Sequence, residues 1–144
     1  MQHDHEDMPS PGLELAFHLE QQFGEPMELG RLATGGLRSM RTVTGGTISG
    51  ARLNGRVVSG SETCLTRMDQ VTTIETVYVI RSDDGAIIRI IGTGNACAKN
   101  AFDGIRLTLV FEADEASPHA WLATRAFVAE RERGSDVLSI AQIV

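Results

Sequence analysis

The residues best equipped for chemistry are polar side chains set on β-rich, otherwise apolar stretches: Glu75, Tyr78, Arg89, Asn95, Arg106, Thr108 and Glu112, with Trp121 as an aromatic wall. A carboxylate on a mostly apolar strand has its pKa raised by burial toward the range where proton transfer is effective. Glu75 and Glu112 are therefore the candidate acid–base groups. Tyr78, Arg89, Asn95, Arg106 and Trp121 are the candidate ligand-binding residues. Arg106 has two readings: it binds a carboxylate or phenolate, or it neutralises Glu112 on the same strand. Each of these side chains, taken alone, is also an ordinary surface residue or ion-pair partner; together they match the few convergent polar groups of a small-molecule cavity.

Other chemistries find little support. The run Gly92-Thr93-Gly94-Asn95-Ala96-Cys97 begins like a dinucleotide fingerprint, but Cys97 stands where the third glycine belongs and no helix opens after it. GxSxG, GxxxxGK[ST] and HExxH are all missing, and the four histidines are not spaced as a ligand set. His3 and His5 near the amino terminus suit only adventitious Cu(II) or Ni(II) capture. No cofactor is expected. His18 lies on the polar side of an alternating strand, as a solvated histidine or a lumen-facing one.

The elements that must position these residues are strands. Residues 72–81 and 86–91 are rich in β-branched side chains and flank Asp83-Asp84-Gly85. An Asp-Gly pair there predicts a hairpin with a two-residue type I′ turn. Centred on Asp84-Gly85, it pairs Arg81 with Ile88 and Val79 with Ile90. Glu75, Val77 and Val79 then share a face with Ile88 and Ile90, while Tyr78 and Ile80 share the other with Arg89 and Ile91. Both faces carry apolar residues, and one barrel wall hides only one of them. Self-association, most simply as a dimer, is the expected remedy.

Residues 13–19 and 105–111 alternate apolar and polar, as half-buried strands do. Shorter strands are expected around 26–29, 40–44, 53–58 and 62–66, with 123–129 as strand or a helical turn before strand, and 137–144 as the last strand. Glycines at 45, 46 and 50 mark a bulge or bend, a corner device in barrels. Residues 95–104 read as a loop with a helical turn, and 131–136 as a charged turn. Eight to ten strands with regular turn signals predict an all-β fold: a single closed antiparallel β-barrel over 13–144, calycin- or lipocalin-like, behind a disordered tail at 1–12.

The chain has 144 residues and a net charge of −6, with 13 Lys+Arg against 19 Asp+Glu and no basic cluster. Nucleic acid and anionic membranes are poor partners for such a surface. No stretch is apolar enough to span a bilayer as a helix, and the acidic start is no signal peptide, so a cytoplasmic location is expected. Cys64 and Cys97, far apart and outside any CxxC pattern, read as two reduced thiols.

The block Thr44-Gly45-Gly46-Thr47-Ile48-Ser49-Gly50-Ala51-Arg52-Leu53-Asn54-Gly55-Arg56-Val57 resembles the ITGGxFxGPxLxGxV block of the family catalogued as domain of unknown function 3237, the UPF0311 group. The likeness continues through Ser82-Asp83-Asp84-Gly85-Ala86-Ile87-Ile88, Phe111-Glu112, and Trp121-Leu122-Ala123-Thr124-Arg125-Ala126-Phe127-Val128-Ala129. There are departures. The family's Gly-Gly-x-Asp-Trp is here Ser59-Gly60-Ser61-Glu62-Thr63, which loses the Trp and exchanges Asp for Glu62. A common Arg is Val77, and the Asn after Trp-Leu is Ala123, while Glu75 and Tyr78 keep their places. The resemblance implies a calycin-like barrel of about eight strands, often oligomeric, with no agreed reaction.

Three functions remain open. The first is a cofactor-independent enzyme doing acid–base chemistry, as lyase, isomerase or hydrolase, on a small hydrophobic or aromatic metabolite. The second is a non-catalytic binding barrel. The third is a structural or interaction module with a filled barrel. A carboxylate facing open lumen volume favours the first, an apolar lumen the second, and a packed lumen the third.

Overall fold

A computed structural model describes residues 9–97 and 102–144. Nine strands follow one another: β1 (Leu13–Phe23), β2 (Met27–Arg31), β3 (Leu37–Gly50), β4 (Gly55–Thr66), β5 (Thr72–Ser82), β6 (Ile87–Ala96), β7 (Gly104–Ala113), β8 (Phe127–Glu132) and β9 (Val137–Ile143). A 3-10 turn at Ala120–Thr124 is the helical element among the described residues.

The strands form one antiparallel sheet in the order β1-β9-β8-β7-β6-β5-β4-β3-β2, and an additional β1–β3 ladder closes it. The result is an eight-stranded antiparallel barrel with β2 as an extra strand on β3. Closure depends on the length of β3. Its first part, Leu37 to Met40, pairs with β2, and its last part, Val43 to Gly50, pairs with β1 from Phe17 to Phe23. The glycine-rich corner makes this crossing feasible. A Cβ at Gly46 would lie 1.9 Å from the Glu20 carbonyl oxygen, and Gly46 itself has φ of +139°. The two strands meet there more closely than any side chain permits.

Alternation along each strand fills the interior. Phe17 and Leu19 on β1, Ile74, Tyr78 and Ile80 on β5, Ile88 and Ile90 on β6, Leu107, Leu109 and Phe111 on β7, and Leu138 and Ile140 on β9 are all buried. One end of the barrel is plugged. Leu122, on the 3-10 turn, is fully buried, and Phe17, Phe111, Phe127 and Trp121 pack with ring centroids 4.6–6.5 Å apart. The aromatic layer packs across this end of the barrel.

The central hairpin forms between the expected strands, but its register differs by one residue. Ile80 pairs with Ile88, Tyr78 with Ile90 and Thr76 with Gly92. The loop has three residues: Ser82 N donates to the Ala86 carbonyl and Gly85 N to the Ser82 carbonyl, 2.9 Å each, with Gly85 at φ +89°. Asp84 has no positive φ, so the type I′ turn is replaced by a turn that needs one left-handed residue instead of two. The slip moves Ile88 and Ile90 to the side of Tyr78 and Ile80, and Arg89 to the side of Glu75. β4 is a single strand with an irregularity between Val57 and Ser59, not two strands split at Ser59-Gly60. Of the tail expected at 1–12, residues 1–8 lie outside the described residues, as do residues 98–101 of the loop with a helical turn expected at 95–104.

Candidate functional site

At the end opposite the plug the interior turns polar. Inward positions of β1, β4, β5 and β8 there hold Gln21, Glu62, Thr76 and Arg131, all buried. Glu62 sits at the centre. Arg131 Nη2 donates to its Oε1 at 2.9 Å, and Arg41, on β3, donates to its Oε2 from Nε at 2.9 Å and from Nη2 at 2.8 Å. The side chains of Glu62 and Arg131 are 4% and 6% exposed, that of Arg41 32%. Arg41 is therefore the group that faces out. Its guanidinium carbon lies 3.4 Å from the centroid of the Phe23 ring, which fixes the plane of the fork. A carboxylate buried to this degree is tolerated because both of its oxygens receive charge-assisted hydrogen bonds.

Beneath the ion pairs, the Tyr78 hydroxyl donates to Gln21 Oε1 at 2.8 Å. Burial is the main reason its phenol is pushed up to about 12, with the Glu62 charge adding to it and the Thr76 hydrogen bond and the two arginines opposing it. Tyr78 is thus a neutral donor at neutral pH. Gln21 Nε2 is buried with no hydrogen-bond partner among the described residues. Cys64 stands two residues beyond Glu62, and burial, aided by the Glu62 charge, pushes its thiol up. It is a poor nucleophile. Cys64 and Cys97 are both free.

A cavity of about 450 Å³ opens over this cluster, walled by the β4–β5, β6–β7 and β8–β9 ends. Arg41 and Arg131 form its charged floor, Thr72, Ala96 and Ile105 its sides, and Gln70, Cys97 and Ser135 part of its rim. Asp103, paired with Arg133 at 2.9 Å, and Asp136 make the rim acidic in places. This cavity is the candidate site.

The residues singled out in the sequence fall elsewhere, with one exception. Glu75, Arg89, Asn95, Arg106 and Glu112 are exposed on the outer wall. Arg89 bonds Glu112 at 2.8 Å and Arg106 bonds Glu130 at 3.2 Å, so the arginines neutralise outer carboxylates and line no lumen. The expected partnership of Arg106 with Glu112 is replaced by these cross-strand pairs. Thr108 and His18 also face outward. Trp121 belongs to the plug, with the Arg52 guanidinium carbon 3.5 Å from the centroid of its ring. Tyr78 alone of the set lies inside, under the candidate site. Glu62, Arg41 and Arg131 were not singled out. The one pointer was the family block in which Glu62 stands at an acidic position.

A second polar group lies at the plugged end. His119, nearly buried, bonds Asp84 from Nε2 at 2.9 Å. Asp84 also accepts from the Ser82 hydroxyl, and that bond is the main reason its carboxyl is held below the usual range. The aspartate lies between serine and histidine, so the imidazole does not touch the hydroxyl, and the group reads as a clasp between hairpin and plug. Among the described residues no group of three or more His, Cys, Asp or Glu is placed to hold a metal ion.

With this geometry in place, a family model described as "Protein of unknown function (DUF3237)" matches residues 11–143. The chain belongs to the DUF3237 family. The fold recurs in solved structures. A conserved protein of unknown function from Rhodopseudomonas palustris is 21% identical, with a TM-score of 0.82 over 95% of this chain and 100% of that one. A β-barrel-like protein from Acinetobacter baumannii AYE is 24% identical, with a TM-score of 0.74 over 95% and 97%. A protein described as an enzyme from Penicillium herquei is 21% identical, with a TM-score of 0.77 over 96% and 98%. Identities this low speak for the fold of this DUF3237 member alone. The curated proteins hold no match to the chain. Among the described residues no helix is long and apolar enough to cross a membrane.

Proposed function

We propose that this DUF3237 barrel binds a small molecule in its open mouth, over the floor made by Arg41 and Arg131. The observation that carries the reading is the buried Glu62 held between two guanidiniums at the base of a 450 Å³ cavity. Two arginines and one carboxylate leave one positive charge in a partly desolvated floor. A planar fork is suited to an acidic oxygen such as a carboxylate, phenolate or enolate. Ile105 and Ala96 offer a modest apolar wall for the body of the ligand. The packed aromatic layer below keeps the ligand in the mouth.

A catalytic reading rests on the same residues. A bound metabolite that loses a proton would have the negative charge that develops facing Arg41, whose fork Glu62 holds in place, and this is the electrostatic part of an acid–base step in an isomerase or lyase without a cofactor. The Penicillium herquei neighbour, described as an enzyme, is consistent with chemistry on this barrel. Binding comes first, because Glu62 lies behind Arg41.

The test is a thermal-shift screen of aromatic carboxylates, phenols and hydroxy acids against the wild type and Arg41→Met. Ligands at 100 times their Kd add about 2.7 kcal/mol to the wild type. The reading holds if the stabilisation disappears in Arg41→Met. Equal stabilisation of both proteins, or of neither, rejects it.

A further inference from the structure

Phe23 ends β1 at the mouth of the barrel. The β1–β3 ladder is irregular between Gln22 and Phe23: one residue of β3 is passed over, and Phe23 comes to pair with Val43. Val43 is buried inward, and Arg41 is the next position on the same side of β3 toward the mouth. Phe23 is therefore the diagonal cross-strand neighbour of Arg41, a separation that aromatic and long side chains span. The result is the 3.4 Å contact between the Arg41 guanidinium carbon and the Phe23 ring centroid. A contact that close requires the guanidinium to lie flat on the ring. The Arg131 guanidinium carbon is 5.2 Å from the same centroid. Beyond Phe23 the chain turns at Gly24, whose N donates to the Thr42 carbonyl at 2.9 Å, so the backbone carrying the ring is tied to β3 next to Arg41.

A guanidinium carries all its N–H groups in one plane. In Arg41, Nε and Nη2 are engaged by Glu62 Oε2 at 2.9 and 2.8 Å, and Phe23 covers one face of the plane. The donors left for the cavity are those of Nη1 and the second proton of Nη2, on the edge away from Glu62. We propose that Phe23 is a positioning residue that makes the mouth selective for a flat, two-oxygen anion, a carboxylate, over a tetrahedral one such as a sulfonate. This rests on the reading of the mouth as a site for an acidic oxygen. The two oxygens of a carboxylate lie in one plane and meet Nη1 and Nη2 edge-on. A sulfonate has a third oxygen that stands out of that plane, where a guanidinium pinned flat on a ring has no N–H to offer. Arg131 is 6% exposed and held on Glu62, so it does not turn to meet that oxygen. The charge agrees, because two arginines against Glu62 leave one positive charge, which one carboxylate cancels. Phe23 stands behind Arg41 rather than in the cavity lining, so it acts through the arginine.

Benzoate and benzenesulfonate, equal in charge and in ring, are the probes. NMR titration of the full chain, which measures weak Kd values, compares them on the wild type, Phe23→Leu, Phe23→Tyr and Arg41→Met. Circular dichroism and a cooperative melt establish that each variant folds, and Phe23→Met carries the result if leucine does not fit beside Val43. One unmet hydrogen bond to a charged group separates the two probes, so the wild type is expected to bind benzoate at least about tenfold more tightly. In Phe23→Leu the fork is free to tilt, and that ratio is expected to fall at least about threefold. Phe23→Tyr keeps the aromatic face and is expected to restore the ratio. Equal weakening of both probes in Phe23→Leu, with the ratio unchanged, makes the ring merely structural and overturns the proposal. Equal binding of both probes by the wild type, abolished in Arg41→Met, overturns it while leaving the mouth as the binding site. If neither probe binds the wild type, or Arg41→Met binds both as the wild type does, the reading of the mouth fails and the proposal with it.

Discussion

Arg131 and Glu62 are 69 residues apart in the chain, yet Nη2 of the first lies 2.9 Å from Oε1 of the second inside the barrel. β4 and β8 do not pair with each other, so the contact crosses the lumen. It joins opposite walls at the level where the interior changes from apolar to polar. Glu62→Gln leaves Arg131 buried without a counter-charge, and breaking a buried pair this way costs about 3 kcal/mol. Urea denaturation at neutral pH reads it directly. Glu62→Gln with Arg131→Met should cost clearly less than the two single changes added together, because the double variant leaves neither charge stranded. Strict additivity would mean that the two side chains do not interact.

Tyr78 is the chain's one tyrosine, so its ionisation is visible without labelling. Tyrosinate absorbance of the folded protein should rise with a midpoint near 12, against about 10 in denaturant. A folded pKa above the unfolded one means that the native state holds the proton more tightly. The stabilisation is complete below pH 10 and is lost as pH rises from 10 through 12. It amounts to about 2–3 kcal/mol. Tyr78→Phe should flatten that part of the stability profile. A midpoint near 10 in the folded protein would place the ring in water.

Gly85 and Gly46 should respond differently to substitution. A Cβ at Gly85 meets nothing within 4 Å, so only its φ of +89° is at stake. Gly85→Val should cost about 1–2 kcal/mol and Gly85→Asn little, since asparagine tolerates the left-handed region. At Gly46 the obstacle is the Glu20 carbonyl, so Gly46→Ala must pry β3 from β1. It should destabilise more than Gly85→Val does. Chemical denaturation of the variants orders them.

The two hairpin strands are evident in the sequence because β-branched runs flank Asp83-Asp84-Gly85, but the register is not. One Asp-Gly pair serves a two-residue and a three-residue loop equally well, and a difference of one residue exchanges the faces of β6. That is why Glu75, which faces out on the same side as Arg89, reads as a carboxylate among apolar neighbours, while the buried carboxylate is Glu62. The alternation of β7 is local and reads correctly, whereas in β1 the irregularity between Leu15 and Phe17 turns Leu13 and Leu15 outward and leaves only Phe17 and Leu19 of the apolar series inside. The mouth is not local: Glu62 takes its partners from β3 and β8, and Arg131 sits next to a charged turn that hides the end of β8. Only closure of the barrel brings them together.

The plug should prove structural. Leu122 is fully buried against the aromatic layer, so Leu122→Ala should cost about 2–5 kcal/mol, depending on how far the cavity collapses. Ligands found for the mouth should bind that variant as tightly as the wild type wherever it is folded, as isothermal titration will show. Weakened binding would couple the two ends.

The most direct test of the central claim follows the arginine Nε–Hε resonances by NMR during titration with a ligand from the thermal-shift screen. A ligand seated in the mouth shifts the Arg41 and Arg131 signals along with the backbone amides of Gln70, Thr72 and Cys97, and leaves those of Arg52, Arg89 and Arg106 in place. Shifts confined to the outer wall around Thr108 and Val128, or to the plug around Arg52 and His119, would contradict it.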